Sequence, residues 1–162
     1  PTCSGTLLNA NLSREQTALA HFLFSVAPYS RECFRSLIVG PALDFSEPVV
    51  GKSLVYESSI AIPGATSTMI SDRGDTASID GTMFEGTRES AEEYYRHLRE
   101  TVLASCPRIK PAEREFGGAV AFPGRSMELR FSRLTTVNIG LMEYKRTGRT
   151  SVSLSIRTLP KR

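Results

Sequence analysis

The residues of this 162-residue chain that could carry proton transfer, nucleophilic attack or metal binding are few: two histidines, three cysteines and a scatter of serines and carboxylates. His21 and His97 are the side chains suited to shuttling protons near neutral pH or to offering imidazole to a metal. Glu93 and His97 lie four residues apart, so on a helix they share a face and present two ligands. A metal usually asks for three or four protein groups, and the sequence supplies no local third. Glu92 with Arg96 and Arg96 with Glu100 repeat the same spacing, which predicts an exposed, charge-laced helix face. No metal and no cofactor is expected.

Cys33 or Cys106 beside a histidine would make a minimal nucleophile and base. Cys33, however, falls on an apolar stripe next to Phe34, and Cys106 closes a helix, so both are expected to be buried structural thiols. Cys3, Cys33 and Cys106 form no C-x-x-C pair, and three reduced thiols are favoured over one bridge with a spare. Serines such as Ser58 and Ser59 sit in no G-x-S-x-G elbow. Gly51-Lys52-Ser53 ends like a phosphate-binding loop, but Ser46 stands where that loop needs glycine, and Leu54-Val55-Tyr56 then opens a strand rather than a helix. Arg73-Gly74-Asp75 matches the triplet of integrin-binding loops, yet glycine and aspartate there are what a tight hairpin turn requires.

Charge carries more information than these motifs. The net charge of +3 divides into +7 over residues 125–162, where nine basic side chains face only Glu128 and Glu143, and −4 over residues 1–124. Clustered arginine with few acids makes a local positive field that draws anionic partners. Lys145, Arg146, Arg149, Lys161 and Arg162 would also serve as a charged guard on an edge strand. Stacking aromatics, which nucleic-acid-binding sheets usually add, are scarce here, with Tyr144 the one exposed candidate.

The elements that must position these residues follow from periodicity. Ser13-Arg14-Glu15-Gln16 is a capping box, which explains Ser13 better than the Asn11-Leu12-Ser13 sequon does, and Ala18, Leu19, Phe22, Leu23 and Val26 follow at helical spacing to about residue 27. A second helical piece after Ser30 points Cys33, Phe34, Leu37 and Ile38 inward and stops at Gly40-Pro41, before a loop through Gly51. Strands are predicted at about 53–62, 65–72 and 76–85, then a helix capped by Thr87 or Ser90 and ended by Cys106-Pro107. After a polar loop at 107–113, strands recur at about 115–122, 126–133, 135–146 and 150–159. The last is the clearest: Val152, Leu154 and Ile156 alternate with Ser151, Ser153, Ser155 and Arg157.

The expected fold is α+β, a twisted antiparallel sheet of two meanders with two helices on one face, in the order α-βββ-α-ββββ, forming a single domain over 1–162. No apolar run approaches the roughly 18 residues that a membrane helix needs. The chain starts at Pro1 rather than Met, which predicts that residues have been removed before it, by cleavage of an export signal among other routes, and leaves the compartment open. Binding rather than catalysis is expected, through the polar, basic face of the sheet and the hairpins at 125–149. The candidate contact residues are Arg130, Tyr144, Arg149 and Arg157, with Gly117 and Gly118 marking a bulge or the close approach of a ligand. The expected partner is a protein or an anionic surface, with nucleic acid a weaker fit. Two alternatives stand beside it: a small enzyme with a cleft near the first helix using His21 or His97, and a structural dimer joined through a sheet edge.

Overall fold

The computed structural model describes residues 12–43, 53–107, 109–116 and 123–160. Helix α1, Arg14–Val26, starts at the capping box: Ser13 Oγ accepts from the Gln16 amide at 3.2 Å and Gln16 Oε1 accepts from the Ser13 amide at 2.9 Å. Pro28 then removes a helical donor, and the chain continues as two short 3-10 turns, Ala27–Glu32 and Arg35–Leu37, instead of the second helical piece expected. Between the turns Cys33 and Phe34 both take left-handed backbone, with φ of 55° and 58°. Such geometry is costly for side chains with a Cβ, and here it delivers Phe34 fully into the core.

Among the described residues eight antiparallel strands follow: β1 Ile38–Val39, β2 Leu54–Ser58, β3 Ser67–Asp72, β4 Ala77–Gly86, then, beyond helix α2 (Arg88–Ser105), β5 Ala112–Phe116, β6 Gly124–Arg130, β7 Thr135–Tyr144 and β8 Arg149–Thr158. They form one sheet in the order β1-β2-β3-β4-β8-β7-β6-β5, so each meander contributes half and the two halves meet where β4 pairs with β8. The α+β fold and the order α-βββ-α-ββββ are as the periodicity predicts, with β1 as a two-residue addition too short to show a period. Strand β5 begins earlier than expected. Its sequence, Ala-Glu-Arg-Glu-Phe, lacks apolar alternation because it lies at the sheet edge, where Glu113 meets Arg99 of α2 rather than the core.

Thr87 caps α2 through its side chain, and the apolar stripe Ala91, Tyr95, Leu98 and Val102 faces the sheet over β4, β7 and β8. Leu19, Leu23 and Val26 of α1 join the same core, with Phe24 against Phe131 at a centroid distance of 4.9 Å. Ile79, Ile139, Leu154 and Ile156 supply its middle. Gly81 leaves room for Ile62, whose Cδ1 would lie 2.7 Å from any Cβ placed there. A bulge between Thr82 and Phe84 turns both Met83 and Phe84 toward the helices, where Phe84 stacks on Tyr94 at 5.3 Å.

Leu154 is completely buried in this layer while Ser153, its neighbour, faces the other way. Leu154→Ala is therefore expected to cost about 2–5 kcal/mol in denaturant unfolding, and Ser153→Ala roughly 0.5 kcal/mol or less. Equal losses in the two variants would contradict the assigned register.

Candidate functional site

Strand register fixes which side chains share the face that no described helix covers. One row across it runs Arg130, Thr136, Arg157, Ser78, Ser71, Val55 from β6 to β2. The next runs Glu128, Asn138, Ser155, Asp80, Met69, Glu57. Beyond them lie Gly140 and Ser153, then Met142, Ser151 and Glu85, and finally Tyr144 and Arg149. The middle of this face is thus built of small polar side chains, among which Ser78, Ser151 and Ser155 are buried.

All four predicted contact residues with described side chains lie on this face, in two clusters at opposite ends. Arg130 and Arg157 flank Thr136, two strands apart, at one end. Tyr144 and Arg149 form a cross-strand pair at the other, beside the Lys145–Arg146 hairpin. Arg130 donates to the Arg133 carbonyl at 3.1 Å, which orients it at the β6–β7 turn, while Arg149 and Arg157 are exposed and have no ion-pair partner among the described residues. Gly117 and Gly118 lie outside the described residues. Lys145, Arg146 and Arg149 do not guard an edge, because β7 and β8 are interior strands and the edges among the described residues are β1 and β5, while Lys161 and Arg162 lie outside the described residues.

Asp80 stands at the centre of the face. Ser71 donates to its Oδ2 at 3.0 Å, Ser78 to Oδ2 at 2.6 Å and Ser155 to Oδ1 at 2.5 Å, so three strands are tied to one carboxylate. These bonds hold the three serines in place around the carboxylate. Across the outer positions of β1–β4 the charged residues are Glu57, Asp80 and Glu85, with no lysine or arginine. Across those of β5–β8 they are Arg114, Arg130, Arg149 and Arg157 against Glu128. The face is therefore acidic on one half and basic on the other.

A second concave region, which periodicity did not reveal, lies between α2 and β5–β6, with a volume of about 730 Å³ and Glu89, Glu92, Arg96, Glu115 and Arg125 among its walls. Arg125 sits over the Tyr95 ring at 4.9 Å, and its Nε is buried without a hydrogen-bond partner. Acids and bases are mixed here; Arg99 is joined to Glu113 within the region, and Glu92 to Arg88 outside it. Only the tertiary pairing of α2 with the β5 edge brings them together.

The catalytic candidates disperse. His21 is exposed on α1, and His97 is exposed on α2, 4.0 Å from both Glu93 and Glu100. The helix-face pairing is real for Glu93, but Glu92 pairs with Arg88 rather than Arg96. Among the described residues no three histidine, cysteine, aspartate or glutamate side chains are placed to hold a metal ion. Cys106 is buried and disulfide-bonded, while Cys33 is free and half-buried, with its thiol 3.8 Å from the Asp75 carbonyl; one bridge, not three reduced thiols, is the arrangement found. At Arg73-Gly74-Asp75 the Gly74 amide, at φ 90°, donates to Asp72 Oδ1 at 2.7 Å, so the triplet serves the turn. No helix among the described residues is long and apolar enough to cross a membrane. No protein-family model, curated protein or solved structure matches the chain.

Burial raises the pKa of Tyr95 above 10.0, partly opposed by the Arg125 cation, and burial together with Glu15 raises that of Tyr94. A phenol whose folded pKa exceeds its unfolded one adds stability that is complete below the unfolded value and disappears as pH rises through the folded one. Unfolding free energy should therefore decline above pH of about 10, and Tyr94→Phe combined with Tyr95→Phe should flatten that decline in alkaline denaturation curves.

Proposed function

We propose that the chain acts by binding rather than catalysis and contacts an anionic or protein partner through the polar, basic face of its sheet. The observation that carries this reading is that Arg130, Arg149 and Arg157, distant in sequence, share the face that no described helix covers, with Glu128 as the one acid among the described outer positions of the same half-sheet. Arginine on a rigid strand is well suited to the task, because its planar fork meets carboxylates in pairs of parallel hydrogen bonds with less ordering cost than a loop side chain would incur. The serine and glycine middle keeps the face low, so a partner can approach the backbone between the two arginine clusters.

Poly-L-glutamate is a suitable probe for an acidic partner. Binding should weaken steeply with salt, and the triple variant Arg130→Ser, Arg149→Ser, Arg157→Ser should bind at least tenfold less tightly with a shallower salt dependence. An affinity unchanged by the triple substitution would refute the assignment of this face.

A further inference from the structure

We infer that the face is a homodimer surface, on which a second copy of the chain lays its acidic half over the basic half of the first. This deepens the reading above by naming the anionic partner, and it rests on that reading. Face-to-face association through a two-fold axis has two simple settings on this sheet. An axis perpendicular to the strands stacks β5–β8 of one copy on β5–β8 of its mate and sets arginine against arginine. An axis parallel to the strands, along the β4–β8 boundary, places β8 over β4, β7 over β3 and β6 over β2 of the mate. Only the second setting brings unlike charges together, and like charges across an interface are strongly disfavoured.

The register makes the match specific. With the rows preserved, Arg157 of one copy lies over Ser78 of the other, two residues along β4 from Asp80. Arg130 lies over Val55, two residues along β2 from Glu57. Arg149 comes down past the end of β4 next to Glu85. Two residues of strand span about 7 Å, which an extended arginine side chain covers. Symmetry repeats each contact, so one surface supplies every pair twice. Glu128 facing Glu57 is the single opposed pair of like sign, and Arg130 adjoins both.

Size and shape agree. Six strands from β2 to β6 across the sheet, at about 4.8 Å spacing and a mean length near 26 Å, present on the order of 750 Å² per copy, close to the roughly 800 Å² per partner of a stable interface. Aligned packing of two sheets is also the common mode, with strand directions within about 30° of each other. The serine-lined centre lets the two faces come close enough for the arginines to reach across.

Sedimentation velocity of the full chain over a range of concentration and salt tests this. At micromolar concentration and low salt the wild type should sediment at twice the monomer mass and shift to monomer as salt rises. An acidic-face variant, Arg130→Glu with Arg149→Glu and Arg157→Glu, and a basic-face variant, Glu57→Arg with Glu85→Arg, should each be monomeric alone. Mixed in equal amounts they should restore the dimer, which also shows that both are folded. A wild type that stays monomeric throughout overturns the dimer, as does a mixture that fails to associate while the wild type dimerises. A monomeric wild type that still binds poly-L-glutamate through these arginines loses the dimer but keeps the binding face. One that binds nothing loses both.

Discussion

The ladder between β4 and β8 is where the two meanders become one molecule, since among the described residues no other strand pairing crosses from the first half of the chain to the second. Ile79 opposite Ile156 and Gly81 opposite Leu154 set its register, and α2 lies over both strands on the core side. A one-residue slip here would move Leu154 and Ile156 to the outer face and drive Ser153 and Ser155 into the core, at a cost set by the burial of several large side chains. The same slip would separate Ser155 from Asp80 and scatter the outer rows. Core packing and the pattern of charge on the opposite face are therefore fixed by one set of hydrogen bonds.

Because the strand order is a palindrome about that ladder, the uneven distribution of charge along the chain becomes an uneven distribution across space. Basic residues gathered toward the C-terminal quarter fall on one half of the sheet, and the acids of β2 and β4 fall on the other. Had the second meander interleaved with the first, the same composition would have given an alternating, nearly neutral face. Topology, not composition, turns a modest net charge of +3 into a surface with a direction.

Elements with strong periodicity were legible in advance: the capping box of α1, the stripe of α2 and the alternation of β8 all appear where residue types place them. What escaped did so for physical reasons. Strand β5 holds an edge with Glu113, Arg114 and Glu115, so it carries no burial signal. The left-handed pair Cys33–Phe34 has residue types that rarely adopt such backbone, and it is held by burial of the phenylalanine. Arg130 and Arg157 were each visible as outward residues of strands, but their proximity depends on the order β8-β7-β6, which local pattern does not encode. Arg125 over Tyr95 was invisible for the same reason, since a strand position and a helix position meet only after packing.

Placing β8 in the interior also has a consequence for synthesis. Strand β4 carries the alternating apolar pattern of Ala77, Ile79 and Met83, yet its neighbour on one side, β8, is made only after α2 and β5–β7. Until then the nascent chain holds an open, ten-residue strand edge of the kind that recruits other chains. Closing so long a loop is entropically slow compared with forming either hairpin, so the half-made sheet is the state most exposed to misassembly.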